Sequence, residues 1–437
     1  MRDEETTPQT ATAAATGTMS PGAPTAPGTG APAPRTGPAP WTLRLVTIGL
    51  VLTALNLRPA ITSLGALLEE VRDGLHMSGS VAGVLTSVPP LCFAVFGVMA
   101  PRLARRFGPG AVVCAGMVAI TAGLVIRPLI GGTAGFLAAS ALALMGIAVS
   151  NVLMPVIVKR WFPDRVGSMT GLYSMALALG TSLAAAVTVP LTDAMGGSWK
   201  AGLGIWAVLA AAAILPWIPL VRARATAREP SSGARTAPAR PQAPELRITR
   251  SRTAWALACF FGLQATAAYI TMGWMPQIFR DAGVSAGTAG VLLALTMAMG
   301  VPLAFVIPRV AARMRTQGPI VVFLGACGLT GYAGLYLAPS GGAWAWALLL
   351  GISNCAFPLA LTMIGMRARS GAGVVRLSAF AQSTGYLISI PGPLLVGVLY
   401  QHSGGWGLPI ALMAALMVPQ MVMGVLAGRD RTIEDES

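Results

Sequence analysis

Twelve stretches of the chain are apolar over about 20 residues each, and no other feature restricts its fold so far. They lie near 43–68, 80–101, 109–128, 133–158, 166–190, 201–221, 253–279, 286–308, 318–338, 342–366, 374–400 and 406–428. A helix of about 20 residues crosses a hydrocarbon core of roughly 30 Å. Inside that core a segment must satisfy its own backbone hydrogen bonds, so each stretch is expected to be helical. The expected fold class is an all-α membrane protein with twelve transmembrane helices. Composition agrees: 54% of the 437 residues are hydrophobic and only 10% are charged, a balance foreign to soluble domains.

A net charge of +15 raises the question of nucleic acid, but the basic residues fall on alternate loops. One side holds Arg102, Arg105 and Arg106, then Lys159, Arg160 and Arg165, eight arginines from Arg222 to Arg252, Arg309, Arg313 and Arg315, Arg367, Arg369 and Arg376, and finally Arg429 and Arg431. The other has Arg72, Arg127, Lys200 and Arg280 at or near its loops. Cytoplasmic loops carry the excess of Lys and Arg in membrane proteins, so both termini are expected in the cytoplasm and no nucleic-acid partner is expected. Cys92, Cys114, Cys259, Cys327 and Cys355 sit inside the apolar stretches without CxxC spacing and read as packing residues. His76 and His402 both fall in outer loops, far apart in sequence, and read as satisfied or solvated side chains.

Residues 1–40 are rich in Pro, Ala, Gly and Thr and are expected to be a disordered cytoplasmic tail without the apolar core of a cleaved signal peptide. A polar linker at 222–252 divides the apolar stretches six and six, giving expected bundles at 41–221 and 253–428 and a short tail at 429–437. The halves also resemble each other. "AGVLTSVPPLCFAVFGVMAPRLARR" from Ala82 aligns without a gap with "AGVLLALTMAMGVPLAFVIPRVAAR" from Ala289, so that Pro101-Arg102 meets Pro308-Arg309. "SNVLMP" from Ser150 has a counterpart in "SNCAFP" from Ser353. Two parallel six-helix repeats with a site between them near the midplane are a transporter architecture.

Six plus six spans, the long central loop and the basic turn after the second span resemble the major facilitator superfamily. More narrowly, "LNLRPAITSLGALL", "AGVLTSVPP", "APRLARRFG", "GLYSMALALG" and "AQSTGYLISIPGPLLVG" resemble its cyanate permease and 2-nitroimidazole transporter branch. The resemblance implies a monomeric secondary transporter of the cytoplasmic membrane that moves a small solute by alternating access, with or without a coupled ion. Arg102, Arg106, Arg309 and Arg313 are the candidate gating residues of its cytoplasmic loops. One departure stands out: the superfamily usually places an acid before the arginine of the second loop, and here Pro101 precedes Arg102.

Arg58 lies about a dozen residues from either end of the first apolar run, near the midplane at about 1.5 Å per residue. A central arginine costs about 2.5 to 3.5 kcal/mol on insertion scales and 10 or more in simulations, so it belongs in a bundle interior or a water-filled cavity. Pro59 removes the donor for the Leu55 carbonyl and disfavours helical geometry at Arg58. A break is expected there, with Asn56 beside it. Pro155 and Pro358 each follow an asparagine by four residues, so Asn151 and Asn354 are expected to offer a free carbonyl as well as an amide. Interhelical glue is the competing role for each. Gln264 and Tyr269 of the seventh span and Gln382 and Tyr386 of the eleventh complete the candidate solute contacts, while Trp274 reads as a site residue or a member of the interfacial aromatic belt.

All 15 Asp and Glu residues lie in tails, loops or span ends. The spans therefore hold no carboxylate for a proton relay, no carboxylate pair and no His/Glu cluster, and neither catalysis, a metal nor a cofactor is expected. A positive site without a buried acid points to a small anion or polar planar solute, with Arg58 as its anchor. A multidrug exporter and a non-transporting membrane sensor are the alternatives; the first prefers a buried acid and the second leaves the proline kinks without a purpose.

Overall fold

The computed structural model describes residues 40–226 and 248–436. The expected N-terminal tail and most of the expected linker lie outside the described residues. Among the described residues there are helices and no strands. Eleven helical spans are long and apolar enough to cross a membrane: Pro40–Ala66, Gly79–Phe107, Pro109–Leu129, Thr133–Trp161, Ser168–Ala194, Arg252–Asp281, Ala286–Arg313, Gly318–Leu337, Ala343–Met366, Gly373–Ser403 and Gly407–Ala427. The sixth expected span is present but interrupted, as Trp199–Gly204, Trp206–Ile214 and Trp217–Thr226. It docks on the first span, where Trp217 Nε1 donates to Thr53 Oγ1 at 3.0 Å.

The internal repeat read from the sequence reappears as packing. In both halves the first span packs on the fifth, the second on the fourth and the third on the fourth, counted within each repeat. The serine of each "SN" motif has the same job. A Cβ added at Gly116 of the third span would lie 2.5 Å from Ser150 Oγ, and one at Gly328 of the ninth would lie 2.5 Å from Ser353 Oγ. Glycine at both positions lets the paired helices approach to backbone distance, the small-residue packing that holds helices together in lipid. The fourth span is one continuous helix through Pro155. It packs closely on the third span at Gly116, Gly123 and Gly146.

The last residues are more than a loose tail. Beyond Ala427 the chain folds back, and Arg367, buried at 2% exposure, clamps it by donating from Nε to the Ala427 carbonyl at 2.9 Å and from Nη2 to the Gly428 carbonyl at 3.0 Å. A turn at Ile433–Glu436 then caps two helix starts. Glu436 accepts from Ser251 Oγ at 2.6 Å and from the Thr253 amide at 3.0 Å, ahead of the seventh span, and Glu434 accepts from the Arg369 amide at 3.1 Å, ahead of the eleventh. Carboxylates at helix N-termini complement both the free amides and the dipole.

Two outcomes follow. Gly180 of the fifth span faces the Leu55 carbonyl, and a Cβ there would fall well inside 3.0 Å of that oxygen; Gly180→Val is expected to cost about 1–3 kcal/mol, as overpacking does, read as a lower melting temperature. Burial pushes the Glu436 carboxyl up, but its hydrogen bonds from Ser251 and Thr253 outweigh this and leave it below 4.5. A carboxyl depressed in the folded chain stabilises it above the ordinary pKa and loses that contribution as pH falls through the depressed value. Glu436→Gln is therefore expected to melt below wild type at neutral pH, with the gap closing once pH drops beneath 4.5.

Candidate solute-binding site

The first span is two helices, Pro40–Asn56 and Pro59–Ala66, parted at Leu57 and Arg58. Arg58 has φ −127° and ψ −27°, and its carbonyl accepts the first bond of the second helix from Ile61 at 2.9 Å. The break occurs where Pro59 has no N–H to give, and the Leu55 carbonyl left over lies against Gly180 of the fifth span. The side chain of Arg58 is thus carried at a helix start inside the bundle, half-buried, with Nη1 buried and without a hydrogen-bond partner among the described residues.

Its surroundings are aromatic. The guanidinium carbon lies 5.8 Å from the ring centre of Phe93 in the second span, a cation–π contact. Phe93 stacks on Tyr386 of the eleventh span at 5.0 Å and stands 6.4 Å from Tyr269 of the seventh. Tyr386 in turn meets Phe261 edge-on at 5.2 Å. The Arg58 guanidinium donates a hydrogen bond to the Tyr269 hydroxyl, leaving Nη1 as the unpartnered nitrogen. Two helices of each half therefore converge on one cation, and no described carboxylate pairs with it.

The structure divides the sequence candidates. Arg58, Tyr269 and Tyr386 come together, with Phe93 as the residue that sequence reasoning passed over; an aromatic beside "SVPPLC" carried no polar signal. Gln264 and Asn354 form a second group, with Gln264 Nε2 3.3 Å from Asn354 Oδ1 and 3.4 Å from the Asn354 carbonyl. Asn56 is occupied elsewhere, donating to the Leu52 carbonyl at 2.8 Å and to Leu209 of the sixth span at 3.2 Å. Gln382 is half-buried and donates to Ser378 Oγ on its own helix at 2.7 Å. Asn151 is half-buried on the unbroken fourth span. Arg102, Arg106, Arg309 and Arg313 are exposed and form no ion pair with a described residue.

Two residues lie deeper than their sequence positions indicate. Arg127, beside its loop as expected, is 1% exposed; its Nη1 donates to the Ala60 carbonyl at 3.1 Å and its guanidinium lies over Phe136 at 5.7 Å. Its position in the last helical turn concealed that it faces the bundle. Trp274 is also fully buried, and it donates to Thr86 Oγ1 of the other half at 3.1 Å.

Apart from Arg58 to Tyr269, the hydrogen bonds and ion pairs between the halves among the described residues lie toward the face opposite the chain ends. Besides Trp274 to Thr86, Gln401 accepts from the Ser80 amide and hydroxyl at 2.8 and 2.7 Å, and Arg280 pairs with Glu69 at 2.8 Å and with Glu70 at 2.9 Å. Gly65 meets the Met272 backbone directly. The halves are thus latched on that side of Arg58. Toward the chain-end face, Phe305 rests over Gly171, and no polar link between the halves occurs there among the described residues.

With this geometry in view, comparison with known proteins is decisive. The family model described as Major Facilitator Superfamily matches residues 45–375. The chain belongs to that superfamily. The 2-nitroimidazole transporter of Escherichia coli (strain K12) is 33% identical over 398 residues, covering 89% of this chain and 97% of that protein. The cyanate transport protein CynX of the same organism is 30% identical over 375 residues, covering 86% and 94%. A solved bacterial homologue of the human lysosomal transporter Spinster, inward-facing and occupied, superposes with a TM-score of 0.68 at 16% identity over 90% of this chain and 96% of its own. This chain is accordingly a multi-pass membrane transporter with the two-repeat, twelve-helix fold, and not an enzyme.

Arg280 is central to the latch because it holds two carboxylates of the other half. Arg280→Gln is expected to speed hydrogen exchange severalfold at amides 65–74 and 272–280, since breaking inter-half pairs favours local opening; unchanged exchange would show that apolar packing alone closes this face.

Proposed function

We propose that this superfamily member moves a small anion or polar planar solute, of the nitroimidazole or cyanate class, with Arg58 as its anchor. The observation that carries the reading is the buried Nη1 of Arg58, which has no partner among the described residues at a mid-bundle helix break. A buried donor without a partner is costly, and a negative solute group arriving beside it recovers the missing interaction. The Phe93, Tyr269 and Tyr386 rings around it suit a flat solute, and the start of the helix Pro59–Ala66 adds positive potential.

The asymmetry of basic loops supports placing both chain ends in the cytoplasm and the protein in the cytoplasmic membrane, with bundles at 41–221 and 253–428 joined by the 222–252 linker. In that orientation the latch at Arg280 lies on the outer side of Arg58. Transport rocks the halves so that the latch opens and the chain-end sides meet. The relatives named above, one a nitroimidazole and one a cyanate transporter, agree with a solute small enough for this cage.

Flux into proteoliposomes tests the anchor. Loss of a buried charged partner costs about 2–5 kcal/mol, so Arg58→Gln is expected to weaken apparent affinity more than tenfold for whichever nitroimidazole, cyanate or related anion the wild type carries. Arg58→Lys, which keeps the charge but loses the planar fork, is expected to fall between. Wild-type kinetics in a folded Arg58→Gln protein would remove Arg58 from the site.

A further inference from the structure

The second polar group lies wholly in the C-terminal half and has a different character. The tenth span breaks at Cys355: one helix ends at Asn354 and the next begins at Ala356. Pro358, four residues beyond Asn354, has no N–H, so the Asn354 carbonyl lacks its helical donor. What it has is the long 3.4 Å contact from Gln264 Nε2. Because that carbonyl can only accept, the Gln264 amide must turn its nitrogen toward Asn354. Its oxygen Oε1 is then left buried without a partner, on a residue 2% exposed.

Gln264 lines a cavity together with Thr271, Tyr332, Ser353, Asn354 and Gln420. Its volume is ≈ 10 Å³, room for about one small occupant. The tenth span contributes Leu350, Ser353 and Asn354 to the lining, all from the end of its first helix, and the helix Ala356–Met366 contributes nothing. The cavity thus sees the carbonyl, negative end of a half-helix. Thr271 donates its hydroxyl proton to the Ala267 carbonyl at 2.8 Å, meets the Tyr332 hydroxyl, and keeps one oxygen lone pair for a guest. Free carbonyls and half-helix C-termini at membrane depth are the surroundings in which neutral oxygens hold a small cation. A divalent ion would ask for carboxylates, and no group of three or more His, Cys, Asp or Glu suited to a metal occurs among the described residues.

We propose that this cavity is a binding site for a monovalent cation of sodium type, held by Gln264 Oε1, the Asn354 carbonyl and the hydroxyl oxygens beside them. Its position gives it a role. Gln264 and Tyr269 are five residues apart on the unbroken seventh span, so the cation binds the helix that also faces Arg58. An anion at Arg58 and a cation at Gln264 would cross together with their charges balanced, a coupling for which the spans supply no proton-carrying carboxylate.

The test needs no solute and is therefore separate from the fate of the Arg58 reading. The purified full chain is melted in sodium chloride, potassium chloride and N-methyl-D-glucamine chloride at equal ionic strength, as wild type, Gln264→Leu and Gln264→Glu. A ligand that binds only the folded state raises the melting temperature with saturation. The expected result is a saturable rise of several degrees with sodium or potassium over N-methyl-D-glucamine, abolished in Gln264→Leu and reached at lower salt in Gln264→Glu. Equal melting of the wild type in all three salts overturns the proposal and leaves the cavity to water. So does a cation response that survives in Gln264→Leu. If Gln264→Leu yields no folded protein, the Gln264→Glu arm decides: a tighter response supports the site and an unchanged one overturns it.

Discussion

A permanent charge at membrane depth with no opposite charge to meet it is the constraint around which the rest of this structure is arranged. Arg58 can be kept there because Pro59 breaks the first span, because Gly180 lets the fifth span cover the carbonyl exposed by the break, and because Phe93 offers a ring face to the guanidinium. None of these neutralises it. A cation–π contact is worth about 0.5 to 2 kcal/mol, less than the upper range of costs for a central arginine, and the difference is what an anionic or strongly polar guest can recover.

The two repeats share their packing and part at their breaks. The first span is broken at Arg58 while its counterpart, the seventh, runs as one helix from Arg252 to Asp281. The fourth span is unbroken while its counterpart, the tenth, is broken at Cys355. These two breaks have opposite electrical character: a guanidinium at a helix start in one half, carbonyl oxygen at a helix end in the other. Irregular backbone survives in a membrane only where it lines a cavity or is covered by protein, so both points sit where the bundle shields them. A proline accounts for the break in the first span, at Pro59, but not for the second difference, since the fourth and tenth spans both carry one, at Pro155 and Pro358.

The architecture was legible because its cause is local. Apolar length alone located eleven of the spans and the region of the twelfth, and Pro59 located the break at Arg58. The partners of Arg58 were partly legible: Tyr269 and Tyr386 stand out as polar aromatics in oily helices, whereas Phe93 does not. Side-chain direction was the missing information. Asn56 adjoins Arg58 in sequence yet bonds to the sixth span, and Arg127 adjoins a loop yet points inward. The folded-back Glu434–Glu436 turn was equally hidden, since an acidic run after the last span has the composition of a solvated tail and only the helix starts it caps give it a place.

The most direct test of the Arg58 account is the affinity of the purified protein for a planar weak acid measured across the acid's own pKa, in wild type and in Arg58→Gln. The account predicts that wild-type affinity follows the ionised fraction of the ligand and that the variant loses this dependence. Equal binding of the neutral and ionised forms by the wild type would contradict it.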